Sequence, residues 1–306
     1  MPVSFHSHSG QFCHHATGSL EQVIQSAIAK GFSVYGLSEH MPRFQEAYLY
    51  PEEIEASVTP AELVDTFKAF VEEARRLRTK YASQISLLIG METEYIEPPY
   101  AEHAIELRKQ YNLDYIVGSV HHMYTVPIDF SKELYNVALS KTLPKANDRL
   151  TLFADYFDAQ YDMLKALKPE VVAHFDLIRI FCPDQSIEAH GEWASVWQKV
   201  TRNIDFVIAY GGLFELNSRA YKKGFRDAYP QRDILQYIQQ RNGRFTLSDD
   251  SHGPNDVGLY YRNLRDYIQE MHIREIYALE LSDTGVCHKL LDSATLQRFW
   301  QKMESW

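Results

Sequence analysis

The feature that most constrains this chain is a rhythm that runs along its whole length. Short apolar or β-branched runs alternate with longer segments of helical period. The runs end at Phe5 and then cover residues 33–37, 85–91, 115–119, 171–173, 213–216 and 245–247, with a weaker eighth at 275–279. Helical segments fill the gaps at 20–30, 60–81, 101–111, 148–167, 192–210, 230–241, 255–271 and 293–303. Ser19 is placed to cap the first of these and Gly31 to stop it. Alternation of this kind builds βαβ units and a parallel sheet. No repeat, low-complexity tract or linker-like shift in composition interrupts it, so residues 1–306 read as a single α/β domain. Seven or eight strands favour a TIM-like barrel over an open sheet. Two connections, 41–59 and 122–147, are too long for plain turns and read as structured loops over a site.

The residues that follow the strands share a chemistry. After the first come His6 and His8; after the second, Glu39 and His40; after the third, Glu92 and Glu94. The fourth is followed by His121 and His122, the fifth by His174 and Asp176, the sixth closes on Glu215 and Asn217, and the seventh leads to Asp249, Asp250 and His252. Taken singly, each has an ordinary explanation as a loop histidine, a helix cap or a solvated charge. In a parallel barrel, however, all seven ends meet at one rim, where sites of this fold are built. Imidazoles mixed with carboxylates suit zinc, manganese or iron. The donors outnumber the three or four that one catalytic ion takes, which points to two or three divalent ions. Such ions polarise phosphoryl oxygens and acidify bound water.

Composition narrows the partners. The formal charge of −10 disfavours nucleic acid. No apolar stretch approaches the ~20 residues of a membrane span. The N-terminus lacks a basic region followed by an apolar core, and the three cysteines, Cys13, Cys182 and Cys287, form no pair in sequence. A cytoplasmic protein acting on a small molecule is the expectation. Cys13 neighbours the strand-end cluster and could bind a soft metal, but for want of a second thiol it reads as a small packed residue; His103, His190, His272 and His288 read as ordinary polar residues.

As an ordered set, the blocks FHSHSG, LSEHMPR, GMETEY, GSVHHM, AHFD and LSDDSH resemble the polymerase-and-histidinol-phosphatase (PHP) superfamily across nearly the whole chain. The resemblance implies a distorted (βα)7 barrel with a trinuclear metal site. It assigns His6, His8 and Asp250 to a first ion, and Glu92 as a bridge to a second completed by His121 and His174. His15, His40 and His252 would hold a third; His14 also aligns at that position, and His15 is favoured from the FCHHATG run. GSVHHMYTVPIDFS and LSEHMPRF further resemble the monofunctional phosphatases of histidine biosynthesis. That implies hydrolysis of the phosphomonoester L-histidinol phosphate, by attack of a metal-bridging hydroxide on phosphorus. Glu92, Asp250 and His252 would carry the chemistry, with the leaving-group acid open between Asp250, His252 and a metal-bound water. Arg43, Arg179 and Arg219 are candidate phosphate contacts. Glu94 and Asp129 are candidates for the substrate's cationic end, and His122 joins them as a substrate contact. Rival readings are a PHP-fold phosphatase or phosphodiesterase acting on a nucleotide or other small phosphoester, a non-catalytic metal-binding module, and amidohydrolase chemistry. The last usually needs a lysine between the metals, and no lysine stands at a strand end.

Overall fold

A computed structural model describes residues 3–283 and 285–306. Its main sheet has nine strands, numbered here in chain order: β1 Val3–Ser4, β2 Val34–Leu37, β3 Ser86–Glu92, β4 Tyr115–Gly118, β5 Val171–Val172, β6 Leu213–Asn217, β7 Arg244–Ser248, β8 Ile276–Ser282 and β9 Gly285–Leu291. Neighbours in the sheet are also neighbours in sequence, from β1 to β9. Strands β1 to β8 pair in parallel, with registers such as Val3↔Val34, Glu92↔Val117 and Leu247↔Leu216. The sheet curls until the segments that follow β1 and β7 meet: Ser7–His8 pairs in parallel with Ser251–His252. This is the expected distorted barrel of seven parallel strands, with an addition. The eighth run touches β7 at one register, Phe245↔Ile276, and forms an antiparallel hairpin with β9, which the hydrophobic pattern does not reveal.

Large aromatic side chains fill the curl. Phe5, Tyr35 and Tyr115 are fully buried, and the Tyr115 hydroxyl donates to the Phe5 carbonyl at 2.8 Å. Gly36 is required beside it, because a Cβ there would lie 2.2 Å from the Tyr115 hydroxyl oxygen. Asp249 ties the closure together by accepting from Ser4 Oγ, Tyr35 and the Gly258 amide. Its burial pushes the carboxyl up to about 6. Those hydrogen bonds give it a structural post.

Helices cover the outside as their periodicity predicts. Leu20–Lys30 begins with a capping box made by Ser19 and Gln22 and ends at Gly31 in the left-handed region, and Pro60–Tyr81 opens on a second box made by Thr59 and Glu62. Others are shorter than expected. Tyr261–Glu270 starts late because residues 253–260 form turns, and Arg232–Gln240 is trimmed at both ends. The loop at 41–59 contains Pro51–Glu55, and that at 122–147 contains a two-stranded ribbon and the helix Lys132–Ser140. Among the described residues, no helix is long and apolar enough to cross a membrane.

Candidate metal centre

Parallel register sets the strand ends side by side, and Glu92 at the end of β3 becomes the hub. Its Oε1 lies 3.1 Å from His6 Nε2, 3.2 Å from His121 Nε2 and 3.1 Å from His174 Nε2. Its Oε2 lies 3.4 Å from His8 Nε2 and 3.1 Å from His40 Nδ1. One carboxylate thus faces five imidazoles, three on one oxygen and two on the other. Asp250 Oδ1 stands 3.7 Å from His6 Nε2 and 3.8 Å from His8 Nε2. Donor atoms of His6, His8 and Asp250 gather within 4.8 Å of one another, as do those of His6, Glu92 and His174, and of His8, His40 and His252. His15, not His14, sits beside the last group, with ring centroids 5.4 Å from His40 and 5.0 Å from His252.

The donors fit more than one divalent cation. His6 Nε2 and both ring nitrogens of His8 and of His40 are buried without a hydrogen-bond partner. His121 Nε2 and His174 Nε2 converge to 3.4 Å, two ring nitrogens brought to one place beside Glu92 Oε1. Buried polar atoms normally find partners, so this concentration marks ligand positions.

The charge state without metal follows from the same geometry. Burial alone pushes the His6 ring down, yet Asp250, Glu92 and Glu215 outweigh it and hold the imidazole well above its ordinary value. His40 and His121 are raised in the same way, against burial, with Glu92 the leading cause of each rise. Glu92 is held well below the usual carboxylate range, where His6, His121 and His40 overcome the opposing effect of burial. Asp250 is lowered to about 2 against its burial by His6 and Arg219. His252 is the exception: burial, then Arg219 and His8, hold it neutral. Its Nδ1 contacts the Asp250 carbonyl at 3.0 Å, which places the proton there and leaves the Nε2 lone pair for a metal.

Behind these residues stands a supporting layer that strand-end logic touches without assigning. Glu215 Oε1 accepts from His6 Nδ1 at 2.9 Å while its Oε2 accepts from the His174 amide at 2.7 Å and from Asn217. Glu39 holds Ser9 through its Oε1 and faces His8 Nδ1 with its Oε2 at 3.4 Å. Carboxylates behind ligating imidazoles orient them and raise their basicity. Glu215→Gln is therefore expected to weaken metal binding by about tenfold to a hundredfold. Competition with a coloured chelator measures this, and unchanged affinity would remove Glu215 from the site.

The substrate contacts expected from sequence divide. Arg219 lines a cleft of about 240 Å³ over the cluster, together with Tyr50, Asp129, Phe130, Lys223 and Tyr229. Arg179 is elsewhere: it is fully buried and bound to Asp233, Gln231 and Asp176, which replaces a phosphate role with a structural one. Arg43 is buried against Glu53 and Glu94 and stacked on Tyr50 in a neighbouring recess. Glu94 faces His40 Nδ1 at 3.1 Å and His121 Nδ1 at 3.4 Å, so it backs metal ligands rather than meeting substrate. His122 is buried beside Tyr48 and Tyr50, with its Nδ1 3.6 Å from Glu94, and burial lowers it to about 3. Lys223 and Tyr229 were not foreseen; both come from the segment after β6, where nothing in the local pattern marks them.

A curled parallel sheet whose strand ends converge histidines and carboxylates on one cleft defines a multinuclear metal-dependent enzyme of α/β architecture. The chain belongs to the PHP domain family, whose model matches residues 4–219. It is 45% identical over 302 residues to a Schizosaccharomyces pombe protein named "Probable histidinol-phosphatase", covering 99% of this chain and 97% of that one. The histidinol-phosphatase of Saccharomyces cerevisiae is 35% identical over 300 residues, 88% of each chain. In three dimensions the chain is similar to histidinol phosphate phosphatase from Lactococcus lactis, solved with zinc, L-histidinol and phosphate. The TM-score is 0.64 at 16% identity, over 94% of this chain and 98% of that one.

Proposed function

We propose that this chain hydrolyses L-histidinol phosphate to L-histidinol and phosphate, as a metal-dependent phosphomonoesterase of histidine biosynthesis in the cytoplasm. The observation that carries the proposal is that one cleft joins the metal cluster to both kinds of charge the substrate requires. Arg219 and Lys223 suit a dianionic phosphate, and Asp129, whose Oδ1 is buried without a partner, suits the ammonium or imidazole. Both relatives carry the phosphatase name at substantial identity. Asp250 and His252 lie beyond the stretch matched by the family model yet complete the cluster, which supports reading residues 1–306 as one functional unit.

The ion ligands are assigned as His6, His8 and Asp250; Glu92, His121 and His174; and His15, His40 and His252, with Glu92 shared. When bound, the ions polarise the phosphoryl oxygens and supply an acidified water near neutral pH. The chain's own residues then position the ester. Arg219, held by the Asp250 carbonyl and Asp256, presents a fixed positive charge that complements the equatorial oxygens. The buried Tyr229 hydroxyl has no partner and keeps its proton, since burial raises it well above the ordinary tyrosine value. It offers a hydrogen bond to the phosphate or the departing oxygen. Asp250 is ionised and has no proton to give the leaving group, and the single proton of neutral His252 is engaged at Nδ1 by the Asp250 carbonyl, so both serve as ligands. Tyr50 and Phe130, ring centroids 6.0 Å apart, line the cleft from the two long loops and offer faces to the imidazole.

The decisive experiment is phosphate release from L-histidinol phosphate by metal-replete protein, beside a chelated sample, a His174→Ala variant, and nucleotide and diester substrates. Release that vanishes on chelation and in the variant is expected, with the other substrates turned over far more slowly. Faster hydrolysis of a nucleotide or a diester would overturn the substrate. A second prediction separates the ends of the cleft. Asp129→Asn is expected to raise KM for L-histidinol phosphate while sparing an aryl phosphate that lacks a cationic group, whereas Arg219→Ala lowers kcat/KM for both. Each loss is about 1.5–3 kcal/mol, or roughly tenfold to a hundredfold. Equal effects of Asp129→Asn on the two substrates would remove it from recognition.

A further inference from the structure

We propose that Cys13, as a thiolate, is a fourth protein ligand of the ion assigned to His15, His40 and His252. The inference rests on that metal-site reading and goes beyond it. From sequence alone Cys13 reads as a small packed residue, but its company in the fold is not that of one. Its Sγ lies 3.3 Å from His15 Nε2, and the donor atoms of Cys13, His15 and His40 all fall within 4.8 Å of one another. The same sulfur also groups within 4.8 Å with donors of His8 and Glu39. Two imidazoles that share donor groups with the sulfur point to a ligand independently of it. His8 is 1% exposed, and both ring nitrogens of His8 and of His40 are buried without a hydrogen-bond partner. A thiol serving only as packing does not draw unsatisfied nitrogen donors around it.

The local chain is built to hold the sulfur there. The Cys13 amide donates to the Ser9 carbonyl at 2.9 Å, Gly10 donates to Thr17, and the Thr17 amide donates to the His252 carbonyl at 2.9 Å. The turn is therefore pinned to the backbone of one of the ligands it faces. Gly10 allows the close approach, since a Cβ there would stand 2.7 Å from the Thr17 backbone. Cys13 is only 7% exposed, which shields a metal–sulfur bond from solvent.

The chemical consequence is selectivity. The thiol proton passes to solvent as the metal–sulfur bond forms. A soft thiolate among imidazoles then favours zinc or iron over manganese at this position, while the positions built from histidine and carboxylate tolerate harder ions. Zinc exceeds manganese at histidine–carboxylate positions as well, so the thiolate should show as one zinc held markedly more tightly than the others.

Cobalt substitution tests this directly, because sulfur bound to Co²⁺ gives a near-ultraviolet charge-transfer absorption that nitrogen and oxygen donors do not. Metal-free protein is loaded with Co²⁺, and uptake per chain is counted separately from the spectrum. The band is expected in the wild type and in a Cys182→Ser/Cys287→Ser variant, where Cys13 is the sole remaining cysteine and is left untouched. It is expected to disappear in Cys13→Ser, with loss of the most tightly held zinc in a competition titration against a chelator. Full cobalt uptake without the band, or a band that survives in Cys13→Ser, would overturn the ligand while leaving the metal centre in place. Folded protein that takes up no cobalt would overturn both. If Cys13→Ser does not fold, the double variant decides alone: its band supports the proposal and the band's absence rejects it.

Discussion

Glu92→Ala is expected to abolish phosphate release, by at least about a thousandfold, and to lower the number of metal ions bound per chain. The argument is one of convergence. Five imidazoles face the two oxygens of this carboxylate at 3.1–3.4 Å. No other acidic residue among those described is placed to neutralise charge in all three donor groups. Removing a single preorganised group at the point of developing charge typically costs 10²–10³ in rate, and here the loss also misplaces its neighbours. Ser119 Oγ, which donates to Glu92 Oε1 at 2.6 Å, loses its acceptor too. Metal-free Glu92→Ala should also be less stable, because breaking a buried ion pair by removing one partner costs about 3–5 kcal/mol. Glu92→Gln keeps the shape but carries an amide among lone pairs, so it is expected to lose activity nearly as fully while folding better. Metal analysis with steady-state kinetics of both variants checks this. Retention of a tenth of wild-type activity with the full metal complement would displace Glu92 from the centre.

How much of this was legible beforehand follows from what a linear pattern can carry. Parallel strands in chain order place every strand end at one rim, so the convergence of His6, His40, Glu92, His121, His174 and Asp250 is readable from position alone. What depends on which partner a long side chain finds is not. Arg179 reads as a rim cation, but Asp233, far along the chain, captures it in a buried pair. Glu94 and Glu92 stand two residues apart, and only three dimensions show that Glu92 faces five imidazoles while Glu94 faces His40 and His121. The hairpin of β8 and β9 is hidden for a different reason. The residues of β9 are mostly exposed or half-buried on an outer edge, so the apolar signal that marks a core strand is missing there. Cys13 shows the limit most plainly, since its meaning lies in a turn pinned to His252 across the chain.

Removing the metals is expected to reverse the sign of the protein's pH dependence above neutrality. In the metal-free state His6, His40 and His121 are held well above the ordinary histidine value near 6.5, and His15 is raised to about 9. In each case burial opposes the rise and the neighbouring acidic groups overcome it: Glu92 or Asp250 at the first three, and Cys13 and Glu52 at His15. A group raised in the folded state contributes stability that is complete below its unfolded value and is lost as pH climbs through the folded one. Between pH 7 and 9 the metal-free protein should therefore lose stability. Cys13 works against this, being lowered to about 6 by His15 and His40 despite burial, but it is one group against four. His252 and His122, lowered rather than raised, are neutral in both states over that window and contribute nothing to the slope. With metal present the order inverts, because the ions bind the deprotonated ligands and displace the protons. Affinity then rises with pH by about 1.4 kcal/mol per unit for each proton displaced, and the folded state gains from it by mass action. Thermal unfolding at pH 7, 8 and 9, in chelator and in excess Mn²⁺, should show the two midpoints diverging steadily. A gap that stays constant, or a chelated protein that grows more stable toward pH 9, would mean that the histidines around Glu92 are not the groups the metals replace.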